Sequence, residues 1–515
     1  MSFPYRVNIF LSWEGAYRLY LGQVPYRDFG LPMGFGYWVV PAMFFKIFGP
    51  YLISLVKAQV FLNFICCLSF RGILNKLKLQ NGVRIAVMII FCLSYILPNF
   101  WPWYNNSVII WQIVGLNFLL GFLNGEARKK YVFLFLSCFF LFVSFFTKQD
   151  GGFLGFAIAA ALVLYHAIIT KKWKDLFLFF LLYIIIAVLV ILPFTQYSFG
   201  YWFNHGQPPH TARISISDIL GELFGASQWI KFYLLLIAII VVFKIKNNRS
   251  FLTDRNEMIF LLLTLGILAE ALIFGVTSYT PPDNNIFFHS FALSYIITGL
   301  SGITLINFNR FSYFAGLVVL VLFWWSAGYW QYINRIAMRI FPSETVEKND
   351  SPSAENVINR YTYMLNLDSN YYEDESTWTT IDSLKSFQKI YLPPSTIAGI
   401  QRLKKMDVLK NNNASVLNMT ELTPLDYEFG YKLETGENHP LWDHLGVCMF
   451  NKQCDDYCNK IKNKQYDVVL FEYIPSLNNF FPFRIRDSLQ VYYKKTDSFL
   501  APRRPTNGTI EVYVK

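Results

Sequence analysis

The residues best suited to chemistry crowd into one stretch near the start of the chain. WEGAYRLYLGQVPYRDFGLPMGFGYWVVPAMFFKIFG, residues 13–49, carries two carboxylates, Glu14 and Asp28, and two guanidiniums, Arg18 and Arg27. A carboxylate held in place can take the proton of an attacking hydroxyl, which is the work of a general base. The bland reading of the same residues is a solvated loop with ordinary ion pairs. Lys148 is a charge at the end of an apolar run, and Lys57 lies just inside another. Each suits a side chain that snorkels to the membrane interface, and Asp150 is placed to pair with Lys148. His289 in PPDNNIFFHSFALSY reads as a hydrogen-bonded histidine among aromatics, or as a phosphate or sugar contact with Asp283 and Asn285 nearby. Asn105 and Asn106 sit in FWPWYNNS, where an amide could meet sugar hydroxyls. His205 and His210 could join a carboxylate on a divalent metal, but their spacing fits no defined site. No cofactor is required by any of these residues, and a divalent metal stays an alternative.

What positions them is a membrane. Of 515 residues, 54% are hydrophobic and only 15% charged, which excludes a disordered chain and an ordinary soluble enzyme. Apolar runs near 51–73, 83–98, 107–123, 131–147, 150–170, 175–198, 229–246, 257–278, 286–306 and 311–332 each read as a transmembrane helix. Lipid forces every backbone group to pair within its own segment, so a helix is the default. The expected layout is an external loop with an amphipathic helix over residues 1–50, a transmembrane domain over 51–341, and a soluble α/β domain over 342–515. Within that last domain, KQYDVVLFEY reads as a buried strand and CDDYCNKIKNK as the helix before it. STIAGIQRLKKM reads as a helix capped by Ser395 or Thr396, and GTIEVYVK as a strand with alternating faces.

The net charge of +11 suggests cytoplasmic loops rather than a nucleic-acid partner. Alternate loops carry about fifteen basic residues, including Arg71, Lys76, Lys129, Lys172 and Lys244, against two in the other set. By the positive-inside rule the first set is cytoplasmic, which puts residues 1–50 and the C-terminal domain outside. The outer loops also gather Trp101, Trp103, Tyr104, Tyr201 and Trp202 with Asn, His and Pro. Part of that is an interfacial belt. The rest suits a cavity in which aromatic faces and amides bind sugar.

WEGAYRLYLGQVPYRDFG, with the FFKIFG that follows, resembles the first external loop of GT-C glycosyltransferases. The similarity is to the protein mannosyltransferase-like and aminoarabinose transferase-like group (glycosyltransferase family 39-like). FFTKQDGGFLGF resembles that group's T-K turn between two later helices. The resemblance implies a GT-C-like polytopic fold and transfer of a sugar from a polyprenyl-phosphate carrier to a glycan, lipid or protein acceptor. It implies Glu14 as the base, Asp28 as the second choice, Lys148 for the carrier's phosphate and Asn105 for substrate; by residue type and neighbours, Arg27 is a second candidate for the phosphate and His289 for substrate. Two features depart from the pattern. An acidic pair is replaced by Trp13–Glu14, and the family's helix before this loop has only SFPYRVNIFL in its place, too short to span. The alternatives are a transporter or flippase of lipid-linked glycans, and a Wzy-like glycan polymerase. The first should show repeated halves, which are not evident, and the second gives no reason for the PYRDF segment.

Overall fold

The computed structural model describes residues 2–5, 8–125, 129–197, 215–247, 251, 253–277, 287–340, 373, 377–410, 414–436, 439–443, 447, 449–475, 480–503 and 508–515. His205, His210, Asp283 and Asn285 lie outside them.

The chain opens with strand β1 (Phe3–Pro4), helix α1 (Ile9–Tyr20) and, after a loop, α2 (Val39–Phe48). The membrane helices follow: α3 (Leu52–Lys76), α4 (Asn81–Phe91), α5 (Tyr104–Asn124), α6 (Lys130–Thr147), α7 (Gln149–Thr170) and α8 (Trp173–Ile191). After the short α9 (Ile216–Gly221) come α10 (Gln228–Asn247), α11 (Arg255–Thr277), α12 (Phe288–Thr304), α13 (Phe311–Trp324) and α14 (Ser326–Ile340). Seven described helices are long and apolar enough to cross a bilayer: α3, α5, α6, α7, α8 with its short extension to Phe194, α10 and α11. The protein is thus an integral, multi-pass membrane protein.

Three expected crossings come out short. The run at 83–98 is α4 closed by a π turn over Cys92–Ile96. The run at 286–306 yields α12, 17 residues long. The run at 311–332 breaks at Trp325 into α13 and α14. At about 1.5 Å per residue the 14 residues of α13 reach about 21 Å, short of the ~30 Å hydrocarbon core. Within the bundle α5 is the buried centre, against α3, α6 and α7. Helix α8 turns Phe177, Ile184 and Leu189 outward, as a lipid-facing helix should.

The C-terminal part is α/β. Its elements are β2 (Thr379–Thr380), β3 (Ile390–Leu392), α15 (Pro394–Lys405), α16 (Asp407–Lys410), β4 (Val416–Met419), α17 (Leu425–Phe429), α18 (Phe450–Lys462), β5 (Val468–Tyr473), α19 (Phe483–Tyr492), β6 (Lys494–Leu500) and β7 (Thr509–Val514). Four strands form one sheet in the order β4-β5-β7-β6, with β4 and β5 parallel and the other pairs antiparallel. The strand and helix expected from KQYDVVLFEY and CDDYCNKIKNK are β5 and α18. Two details differ. The residue capping α15 is Pro393, not Ser395 or Thr396, and Thr396 instead donates its hydroxyl to the Leu500 carbonyl at 2.6 Å. β7 is covered on both faces, so its interior residues are buried without alternation.

The N-terminus is woven into this domain. β1 pairs in parallel with β3, Phe3 opposite Ile390, in a second sheet of order β1-β3-β2. The Asn8 amide donates to Glu421 Oε2 at 2.9 Å. Phe10 meets the rings of Phe480 and Phe481.

Candidate active site

Helix α1 is buried from Ile9 to Arg18, because it lies between α2 and the C-terminal domain. Gly15 is the point of closest approach. A Cβ there would run into the indole of Trp38, so only glycine lets that ring lie against the helix. Glu14 and Arg18 are one turn apart and form a buried pair, 2.8 Å between Oε1 and Nη2. A buried guanidinium must spend its other donors. Arg18 gives Nη1 to Gln23 Oε1 and to the Glu434 carbonyl, each at 3.0 Å, and Nη2 meets His439 Nε2 at 3.1 Å. That contact requires His439 Nε2 to accept, leaving its proton on Nδ1, 3.1 Å from the Tyr457 hydroxyl. Burial, then Arg18 and Lys460, hold His439 well below the usual histidine range, so it stays neutral. Burial pushes Glu14 upward, and Arg18 pulls it partly back.

Glu14 and Arg18 face a cleft of about 70 Å³ between α1 and the C-terminal domain. Asp426 lines the same cleft. Its carboxyl accepts from Asn418 Nδ2 at 3.0 Å, and burial, with Glu14 adding to it, drives its pKa well up.

The PYRDF segment closes on itself. Tyr26 takes a left-handed conformation, φ 67°, its amide bonds the Phe29 carbonyl at 2.8 Å, and its hydroxyl donates to the Met33 carbonyl. Arg27 grips Asp28 with two bonds of 2.8 and 2.7 Å, and Asp28 Oδ2 also accepts from the Val24 amide at 2.7 Å. These bonds, Arg27 first, hold the Asp28 carboxyl below its ordinary range. Three backbone bonds then fasten the loop to the C-terminal domain: Gly436 N to Asp28 O, Gly30 N to His439 O, and Leu441 N to Gly30 O.

The far end of this loop docks on the T-K turn. A Cβ on Gly34 would collide with the Phe146 carbonyl, so this glycine is required for the contact. Gln149 donates to the Pro32 carbonyl at 3.3 Å, and Phe35 packs edge-on to Phe146. Lys148 stands in the break between α6 and α7, 3.3 Å from Asp150 Oδ2, with its ammonium 4.6 Å from the Phe274 ring and 5.6 Å from that of Tyr104. The two motifs singled out in the sequence therefore lie against each other, although about 120 residues separate them.

The chain superposes on a crystal structure of ArnT from Cupriavidus metallidurans in the apo state with a TM-score of 0.54 and 11% identity, over 99% of this chain and 94% of that one. The protein has the GT-C fold of ArnT. A second match, ArnT from the same organism bound to undecaprenyl phosphate, has a TM-score of 0.39 and 9% identity, over 66% of this chain and 69% of that one. No protein-family model and no curated protein sequence matches the chain.

On this GT-C fold the nominated residues fall in four places. Glu14 lines the cleft. Arg27, Asp28 and Lys148 sit on the loop and its dock, outside the cleft lining. Asn105, in the first turn of α5, has its side-chain oxygen buried without a hydrogen-bond partner among the described residues. His289 is elsewhere, in a cage of Phe288, Trp229 and Trp325, with Nδ1 2.8 Å from the Tyr233 hydroxyl. Lys57 lies over the Phe48 ring at 3.9 Å. Among the described residues, no group of three or more His, Cys, Asp or Glu is placed to hold a metal ion, so no step below uses one. Sequence reasoning missed Asp426, His439 and Thr423. They come from the far end of the chain, and no local pattern marks them.

Proposed function

We propose that the protein is a membrane glycosyltransferase that moves a sugar from a polyprenyl-phosphate carrier to an acceptor on the non-cytoplasmic side. The observation that carries this reading is the docking of the loop that follows α1, through Pro32, Gly34 and Phe35, on the Lys148 turn, within a GT-C fold. The apolar tail of the carrier stays in lipid, which accounts for a polytopic chain. In this reading Glu14 takes the proton of the acceptor hydroxyl as its oxygen attacks the anomeric carbon. The bond to the carrier's phosphate oxygen breaks, and the electron pair leaves with the phosphate. Lys148 meets that negative charge at the membrane edge, and Arg27 offers a half-exposed second cation. Asp28 is the weaker candidate for the base, because Arg27 and the Val24 amide already hold its oxygens. Asn105 has an acceptor oxygen to offer a substrate. The cage around His289 favours a packing role for that residue.

Lys148→Ala tests the carrier end. Because the phosphate is charged before and after transfer, losing this cation should raise the KM for a polyprenyl-phosphate sugar and also lower kcat. The measurement is transfer of labelled sugar in membranes carrying the variant. Unchanged KM and kcat would remove Lys148 from the site.

Sidedness is tested by thiol labelling. The loop charges place Lys129 inside and Lys464 outside. An impermeant thiol reagent should label Lys464→Cys in intact cells and leave Lys129→Cys untouched. The reverse pattern would put the Glu14 loop in the cytoplasm and defeat an external transfer site.

A further inference from the structure

The cleft beside Glu14 has a lining that the transfer step alone does not require. Two groups contributed by the C-terminal domain stand out. Thr423 is 2% exposed and Asp443 is 3% exposed. The Thr423 hydroxyl and Asp443 Oδ1 have no hydrogen-bond partner among the described residues, although both side chains line the cleft. Leaving a buried polar atom unpaired is costly, so two on one cavity wall suggest a ligand that pairs them.

The remaining walls state what kind of ligand. Phe10, Trp442 and Phe480 bring apolar ring surface to the cleft, while Tyr457 brings a hydroxyl and Glu14 and Asp426 bring carboxyl oxygens. Hydroxyl, carboxyl and ring surfaces all border this small space. The charges nearly cancel. Glu14 is matched by Arg18 and Glu434 by Lys460. Burial pushes Asp426 well up, toward the neutral acid, and Asp443 to about 7, so that Asp443 is about half protonated at neutral pH. Lys432 also borders the lining but is exposed to solvent, so no strong buried counter-charge is left for a cation or a dianion. A neutral polyol would find partners for its hydroxyls and rings for its C–H faces. One water needs at least about 10–15 Å³ of such space. The cleft, at about 70 Å³, therefore holds a few waters or part of one pyranose ring.

We propose that this cleft binds a neutral sugar unit, held by Thr423, Asp426 and Asp443 of the C-terminal domain opposite Glu14. Only the further statement that this sugar belongs to the acceptor rests on the transferase reading. The C-terminal domain then chooses what is glycosylated, while the membrane domain holds the carrier.

The test uses the full chain in nanodiscs and a panel of free neutral hexoses, pentoses and N-acetylhexosamines. Saturation-transfer NMR should detect contact with at least one of them. The double variant Thr423→Val/Asp443→Asn should weaken that contact at least about tenfold. Lys410→Ala, on exposed α16 and outside the cleft lining, should leave it unchanged. Thermal melting checks that each variant is folded, and Thr423→Ser provides a milder change that should keep most of the binding. Absence of contact with every sugar, or equal contact in the folded double variant, overturns the site. Sugar contact without transfer from any polyprenyl-phosphate sugar leaves the site standing and overturns the transferase reading. Transfer without sugar contact does the opposite.

Discussion

Glu14→Gln should lower transfer by roughly 10²–10⁴-fold, the usual worth of a positioned general base. That corresponds to about 3–5 kcal/mol of barrier. The substitution keeps the shape and a hydrogen-bond acceptor for Arg18 but removes the charge that draws the acceptor's proton. The KM for the carrier should change little, since its phosphate is held at the Lys148 turn. The pH profile carries a second signature. Burial raises Glu14, so the acid limb of the wild-type rate should lie above the ordinary glutamate range, and activity should fall as the pH drops through it. In the residual activity of the variant that limb should vanish. Asp28→Asn should cost less, because Asp28 already spends its oxygens on Arg27 and Val24. A greater loss at Asp28 than at Glu14 would exchange their roles. Near-normal turnover in both folded variants would remove the mechanism from this loop and favour a transporter.

Arg503→Met should destabilise the C-terminal domain by about 3–5 kcal/mol, the cost of leaving buried charges without a partner. Arg503 is 5% exposed and pairs with both Glu421 and Glu472, its Nε lying 2.8 Å from Glu472. Glu472 in turn accepts from the Glu421 amide, and Glu421 accepts from the Asn8 amide. The variant should therefore loosen the attachment of the N-terminus to the sheet as well as melt earlier. Calorimetry gives the melting loss, and hydrogen exchange at residues 3–10 reads the attachment. Desolvation lifts Glu421 to about 7 in the folded chain. A carboxyl raised on folding adds stability below its unfolded value of about 4.3, and that share disappears as pH rises through 7. The wild-type protein should thus lose part of its stability between about pH 4 and 7. A triple variant that removes both glutamates along with Arg503 should recover much of the loss.

The sequence made legible those features that rest on local rules. Apolar runs gave the long membrane helices, because a lipid-facing helix must be apolar over its whole length. β5 and α18 were readable because a buried strand and a one-faced helix leave distinct periods. Glu14 and the T-K turn were found as motifs, and the structure puts their segments in contact. Trp325 was not readable as a break, since nothing in FWWSAGYW departs from a helical run in composition. Nor was the cage of His289, which needs Trp229 and Tyr233 from α10 and Trp325 from the break between α13 and α14. Asp426, Thr423 and Asp443 were hidden for a different reason. Their meaning lies in facing α1, and sequence periodicity carries no information about partners some 400 residues away.

The same separation has a consequence for biosynthesis. Asn8 bonds Glu421 across 413 positions, β1 needs β3, and residues 28–30 need residues 436–441. At the usual synthesis rate of about 5–20 residues per second, the first segment waits roughly 20–80 s for its partners. During that interval Glu14 and Arg18 are charged, and the wall that will enclose them has not been made. The ribosome must deliver nearly the whole polypeptide before the loop can settle. A prematurely terminated product therefore inserts its membrane helices and still lacks a finished cleft. Assembly of the cleft is thereby coupled to synthesis of the segment that supplies its far wall.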